Sequence, residues 1–186
     1  MVSSTSGTRP VRVPPLPPEE RDERQTALVA AAGAELGVYT TLVRSTDVFA
    51  DLLPLGQRLL QKSTLEDSVR ELLILRVAWR CRAPYVWSHH EVIGRSAGLT
   101  DDDIAALATD STASQDATRA LLLDAADDLV ADHRLSDRTW QGLSDPYATE
   151  QLIEICLLVG LYAMLAGTLN SLGVALEDGQ QPPTWA

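Results

Sequence analysis

The chain of 186 residues carries 15 basic and 26 acidic side chains, a net charge of −11, and only two cysteines. This length suits one compact domain with a sizeable core, and an apolar fraction of 45% is ordinary for a globular protein. The acidic balance argues against a nucleic-acid-binding protein and against docking on an anionic membrane surface. Because Cys81 and Cys156 lie far apart, they form no CxxC pair, disulfide framework or zinc pattern.

The two ends of the chain differ from the part between them. Residues 1–17 are rich in Ser, Thr and Pro and contain no signal-peptide core, which predicts a disordered or extended arm along a neighbour's surface. A single helical domain is predicted for residues 18–179, followed by a short tail over residues 180–186. The most apolar segment, residues 155–169, is shorter than the roughly 20 residues of a spanning helix. We therefore expect a buried core helix and a cytoplasmic protein with reduced cysteines.

The chain predicts an all-α fold, because no segment shows the alternation of a β-strand. The first helix is predicted over residues 18–36, with Gly37 as its stop. The second begins near residue 45 or 46, and Pro54 is expected to kink or split it before residues 55–62. The third helix, over residues 66–82, is apolar around most of its circumference, which is typical of a buried helix.

Capping and breaking residues mark the remaining helices. A helix over residues 84–98 is expected to begin at its proline and to end at its glycine, and Thr100 is expected to cap the next helix. Further helices are predicted from residue 114 or 115 to residue 132, over residues 136–143 and over residues 149–172. The fold class is therefore an antiparallel helical bundle.

One carboxylate interrupts the apolar surface of the helix over residues 66–82. Glu71 shares its face with the apolar residues three, four and seven positions later, so its carboxylate is expected to be partly desolvated. Such a group is either a catalytic acid or base, or one arm of a core salt bridge. The candidate partners for a salt bridge are Arg70, Arg76 and Arg80.

The next predicted helix carries two adjacent histidines. His90 falls on the inward apolar stripe, whereas His89, about 100° away, falls on a flanking stripe with Tyr85. An inward imidazole near a buried carboxylate forms a general acid–base couple, although a lone inward histidine is more often a core residue. For straight antiparallel helices, Glu71 and His90 are offset by roughly 7 Å along the axis. They meet directly only if the helices cross at an angle; otherwise water or the substrate bridges them.

A metal site at His89, His90 and Glu91 is disfavoured. Adjacent side chains on one helix diverge, and the i, i+4 spacing that suits zinc is missing. We therefore predict neither a metal nor a cofactor.

The centre of the chain contains three characteristic sequence segments: RELLILRVA from Arg70, YVWSHH from Tyr85 and GRSAGLTDDDI from Gly94. With these runs, the chain from about residue 20 resembles the carboxymuconolactone decarboxylase and alkylhydroperoxidase-D-like superfamily. The resemblance implies an all-α fold of antiparallel helices, a homo-oligomer (a dimer, trimer or hexamer) and pockets near subunit contacts.

The redox branch of that superfamily uses a glutamate, a CxxC pair and a histidine four residues after the second cysteine. Counted back from His90, the two cysteine positions are Ala83 and Val86. Glu71 and His90 match the glutamate and the histidine, and Tyr85 lies between the lost cysteines. A thiol peroxidase or disulfide reductase is therefore not expected, because both need an attacking thiolate.

The sequence predicts a cofactor-independent lyase or isomerase for a small cyclic acid, lactone or natural-product intermediate. His90 is expected to move a proton, and Glu71 is expected to orient the His90 ring or to relay the proton. Tyr85 is expected to donate a hydrogen bond to a substrate carbonyl or enolate. The predicted substrate-binding residues are Trp87, His89, Arg76 and Arg80, with the arginines expected to bind a substrate carboxylate. The alternative is a non-enzymatic, oligomeric binding or accessory protein that has lost the redox cysteines.

Overall fold

The computed structural model describes residues 10–114 and 116–186, and every regular element within them is helical. This confirms the predicted all-α fold. A short 3₁₀ turn at Pro18–Glu20 precedes the helices. The helices are α1 (Glu23–Ala32), α2 (Gly37–Leu42), α3 (Thr46–Gln61), α4 (Asp67–Arg80), α5 (Pro84–Ser96), α6 (Asp101–Leu107), α7 (Ala117–Ala131), α8 (Asp137–Ser144) and α9 (Thr149–Leu172).

Helix α4 lies at the centre of the fold. Helices α5, α7 and α9 pack around it, and every side chain from Arg70 to Trp79 is buried. A helix that is apolar on all sides has no face for water, so surrounding it with other helices removes most of its surface from solvent.

The apolar core consists of two clusters. The larger one joins α4 with α5, α6, α7, α8 and α9. The smaller one joins the segment before α1 with the first three helices, through Leu16, Val29, Val43, Phe49 and Leu53. The candidate site described below lies between these two clusters.

The predicted first helix, over residues 18–36, is wrong in its extent. Helix α1 begins after Asp22, whose side chain accepts the backbone N–H of Gln25, and it ends at Ala32. It ends there because Gly33 adopts a φ of 87°, a left-handed conformation that a glycine tolerates best. The predicted stop, Gly37, instead begins α2, a short helix that the sequence pattern did not indicate.

Pro54 was predicted to kink or split the second helix, and the split is wrong, because α3 continues through this residue to Gln61. Proline removes one backbone N–H, which leaves a carbonyl without a partner in the preceding turn. Pro54 is exposed, so it lies on the side of the helix where solvent is available to that carbonyl.

The other helix ends lie close to their predicted positions. Gly98, with a φ of 98°, follows α5, and Thr100 caps α6 through the backbone N–H of Asp103. Asp116 caps α7, while the predicted start at residue 115 lies outside the described residues. Ser136 caps α8 as predicted.

By length and composition alone, helix α9 could cross a membrane. Half of its most apolar 18-residue stretch is buried inside the protein. The core helix of a soluble protein has the same properties. Within the fold, its Glu154 accepts hydrogen bonds from the Ser63 hydroxyl and the Thr64 backbone N–H. These contacts are those of a core helix in a soluble-looking domain. The expected homo-oligomer and the expected cytoplasmic location stay predictions.

The described part of the N-terminal arm, residues 10–17, runs along its own chain. The backbone N–H of Arg12 donates to Leu172 O at 2.9 Å, and that of Leu16 donates to Thr40 O at 2.7 Å. The Leu16 side chain is buried in the smaller cluster. Residues 1–9 of the predicted arm lie outside the described residues.

Candidate active site

A cavity of about 180 Å³ lies between the two apolar clusters. Residues of α1, α2 and α3 line one side, and residues of α5 and α9 line the other. Most of the lining is apolar. The polar residues of the lining are His89, His90, Tyr39, Tyr85, Tyr162, Gln57 and Gln61.

Glu71 and His90 are in direct contact at the α5 wall of this cavity. His90 Nδ1 lies 2.6 Å from Glu71 Oε2, and the Glu71 side chain is only 1% exposed. Arg70 Nε lies 3.6 Å from the other carboxylate oxygen, which places a positive charge beside Glu71. His90 lines the cavity and Glu71 lies behind it. No water or substrate is needed to bridge the pair.

Gly94 permits this close approach of α4 and α5. It lies one turn after His90, and a Cβ at this position would be 3.3 Å from Leu75 Cδ1 and 3.7 Å from Glu71 Cβ. A larger residue would therefore press against α4 near the carboxylate. The absence of a side chain at Gly94 helps to bring Glu71 within hydrogen-bond distance of the imidazole.

Tyr162 completes a chain of three hydrogen-bonding side chains. Its hydroxyl lies 3.1 Å from His90 Nε2, and the two rings pack edge to face. Because a carboxylate can only accept, His90 Nδ1 carries the hydrogen that it donates to Glu71. In neutral His90 the Nε2 atom is then an acceptor for the Tyr162 hydroxyl. This assignment puts the basic nitrogen on the side of the cavity.

Sequence reasoning missed Tyr162. The residue lies in α9, whose apolar residues occur on all sides, so no periodicity showed which face meets α5. The one available signal was a single hydroxyl within a long apolar run, since a buried tyrosine usually needs a hydrogen-bond partner. Burial, with the nearby Glu71 carboxylate, raises the pKa of Tyr162 well above its usual value, so the phenol stays protonated at neutral pH.

Tyr85 and His89 lie on the same cavity wall but have different surroundings. The Tyr85 hydroxyl donates to Glu177 Oε1 at 2.7 Å and accepts the Val38 backbone N–H at 3.0 Å. Burial and the hydrogen bond to Glu177 raise the pKa of Tyr85 strongly. His89 packs against the Tyr85 ring, with 4.6 Å between ring centroids, and burial lowers its pKa.

Trp87 is buried but does not line the cavity. Its ring packs edge to face against Trp185 in the C-terminal tail, with 5.4 Å between centroids. It therefore helps to fix the tail and is left out of the candidate site.

The structure places Arg76 and Arg80 away from the cavity. Both guanidinium groups donate to the Asp127 carboxylate of α7, and Arg76 also donates to Leu107 O and Thr109 O. Burial alone would raise the pKa of Asp127, but the hydrogen bonds from the two arginines outweigh it and lower this pKa. Because Asp127 occupies both guanidinium groups, we omit the two arginines from the candidate site.

Ala83 and Val86, the positions that the resemblance assigns to the redox cysteines, carry no thiol. Ala83 is fully buried, and Val86 lines the cavity. Burial raises the pKa of both Cys81 and Cys156, which disfavours the reactive thiolate. Among the described residues, no three His, Cys, Asp or Glu side chains are grouped so that they could bind a metal ion.

Comparisons with known proteins extend this description. The family model described as carboxymuconolactone decarboxylase family matches residues 46–128, a range that contains both Glu71 and His90. No curated protein matches the chain.

Two solved structures have a similar fold. One is a peroxidase-related protein of Ralstonia eutropha JMP134, described as an alkylhydroperoxidase AhpD core, with a TM-score of 0.73 and 18% identity. The match covers 94% of this chain and 100% of that one. The other is a peroxidase-related protein of Silicibacter sp. TM1040, with a TM-score of 0.71, 16% identity and coverage of 98% and 97%. At these identities, the likeness concerns the fold.

The ion pairs of Asp127 predict that two Asp→Asn substitutions lower the free energy of unfolding by very different amounts. Asp127→Asn leaves the fully buried Arg76 without its carboxylate, so we expect the free energy of unfolding to fall by about 3 kcal/mol. Asp110→Asn removes an exposed partner of Arg80 and is expected to change this free energy by no more than about 0.5 kcal/mol. Urea unfolding of both variants tests the difference. Equal effects would contradict a structural role for Asp127.

The buried phenols predict a loss of stability in alkali. A tyrosine pKa raised by folding contributes stability that is complete below the ordinary value of 10.0 and is lost as the pH rises through the raised value. We expect tyrosinate absorbance and loss of helical circular dichroism to appear in one transition above pH 10.0. Tyr162→Phe should reduce the amplitude of the absorbance change. Full tyrosine ionisation near pH 10.0 with the helices intact would contradict the burial.

Proposed function

We propose that this chain, whose residues 46–128 match the carboxymuconolactone decarboxylase family model, is a cofactor-independent lyase or isomerase for a small cyclic molecule. The observation that carries the proposal is the 2.6 Å contact between Glu71 and His90 at the wall of the apolar cavity. Ala83 and Val86 stand where the redox branch has its cysteines. The chemistry supported by the remaining groups is proton transfer.

In the proposed reaction, His90 Nε2 is the base that faces the substrate. It removes a proton from the carbon next to a substrate carbonyl, which gives an enolate and an imidazolium. Glu71, hydrogen-bonded to Nδ1, keeps the ring oriented and stabilises the imidazolium. In a β,γ-unsaturated substrate this enolate is a dienolate, and Nε2 returns the proton to its γ-carbon. The double bond moves, and no oxidant or cofactor is consumed.

Tyr162 is the proposed hydrogen-bond donor to the developing enolate. When Nε2 accepts a proton, it can no longer accept a hydrogen bond from the Tyr162 hydroxyl. That hydroxyl then becomes available to the substrate oxygen at the moment when its negative charge grows. We transfer this role from Tyr85 to Tyr162, since the Tyr85 hydroxyl already donates to Glu177.

A second candidate function is ligand binding without catalysis. The observation that favours it is that both ring nitrogens of His90 have partners within the protein, namely Glu71 and Tyr162. A ligand in the cavity must displace the Tyr162 hydroxyl before it can reach Nε2. If that exchange does not occur, the same residues serve to rigidify a binding site.

Deuterium incorporation tests the acid–base proposal. Unsaturated five- and six-membered lactones and ketones are incubated in D₂O, and exchange next to the carbonyl is followed by proton NMR. His90→Ala is expected to slow the protein-catalysed exchange by about 100-fold or more, because the base is lost. His133→Asn is the matched control: His133 is exposed, and asparagine tolerates its positive φ of 60°.

Treatment with a chelator and with a thiol-alkylating reagent should leave the exchange rate unchanged. Equal rates in His90→Ala and the wild-type protein would reject the role of His90. Binding of the ligands without any catalysed exchange would favour the second candidate function.

A further inference from the structure

The lining of the 180 Å³ cavity contains no charged side chain among the residues that the structure describes. Its polar members are glutamines, tyrosines and the two histidines, and every other member is apolar or glycine. A ligand that enters this cavity exchanges water for a mostly apolar surface. Burial of a charge without a partner is costly in such surroundings.

The cations of the surrounding helices do not reach the cavity. Arg70 contacts Asp67 and Glu71, while Arg76 and Arg80 share Asp127. None of these arginines lines the cavity, so a ligand carboxylate would lack a counter-ion there. A ligand cation also lacks a partner in the lining, because the Glu71 carboxylate lies behind His90.

We infer that the ligand of this cavity is an uncharged, one-ring organic molecule, because no charged side chain of the described residues lines it. The size agrees with a single ring, since apolar cavities of about 150 Å³ accept benzene. This inference rests on the proposed function only in that both use the same cavity. It narrows the predicted class of cyclic acids, lactones and natural-product intermediates to uncharged molecules, such as a lactone or ketone.

Three ligands of nearly equal shape test the charge preference. Acetophenone, benzoate and benzamidinium have the same number of non-hydrogen atoms and are neutral, anionic and cationic at neutral pH. Titration calorimetry with the full chain is expected to give acetophenone an affinity about tenfold or more above the other two. Equal or tighter binding of benzoate or benzamidinium would overturn the inference.

Substitutions at two glycines test whether the ligand binds in the cavity. Gly56 lines the cavity from α3, and a Cβ there meets nothing within 4 Å, so Gly56→Leu introduces a side chain at the cavity without a backbone clash. We expect it to weaken acetophenone binding by about tenfold or more. Gly160→Leu on the exposed side of α9, where a Cβ is equally free, should leave the affinity unchanged. Equal affinities in both variants would place the ligand outside the cavity and overturn the inference.

The binding and exchange experiments separate the two proposals. Selective acetophenone binding without His90-dependent exchange would reject the acid–base function and support the neutral ligand class. His90-dependent exchange together with benzoate binding as tight as that of acetophenone would support the function and reject the ligand class.

Discussion

The burial of the Glu71 carboxylate is the constraint on which the site depends. Glu71 lies in α4, the helix that α5, α7 and α9 pack around, and its side chain is 1% exposed. A charge in such a position must have a partner. His90 supplies a hydrogen bond and Arg70 a positive charge, so α5 is fixed against α4 at the turn that carries His90. Gly94 leaves the room for this approach.

The cavity follows from the division of the core. Helices α1–α3 close one apolar cluster with the segment that contains Leu16, and the remaining helices close the other around α4. The space between them is bordered by His90 and Tyr162 on the side of α5 and α9. A chain of hydrogen-bonded side chains, Glu71, His90 and Tyr162, therefore ends at an otherwise apolar cavity. The proton transfer proposed above uses these side chains and no thiol of the chain.

Local sequence patterns singled out two of the candidate site residues. Glu71 and His90 were found because each interrupts an apolar stripe. Their direct contact could not be predicted, since it depends on how α4 and α5 cross. Tyr162 was missed because α9 is apolar around its whole surface. The pairing of Arg76 with Asp127 joins residues 51 positions apart, and no short-range pattern reports such a contact.

Local sequence patterns were also insufficient to predict some helix boundaries. Two glycines, Gly33 and Gly37, could each end the first helix, and only the left-handed conformation of Gly33 decides between them. Pro54 predicted a break that α3 does not have, because one missing hydrogen bond on an exposed side does not outweigh the packing of Phe49 and Leu53 in the smaller cluster.

A double-mutant cycle on the deuterium-exchange rate tests most directly whether Glu71 and His90 act as one acid–base unit. The rates of Glu71→Gln, His90→Ala and the double variant are compared with that of the wild-type protein. If Glu71 works only through His90, its substitution should have no further effect once His90 is absent, so the double variant should exchange as slowly as His90→Ala. Independent, multiplicative losses in the two single variants would contradict this account.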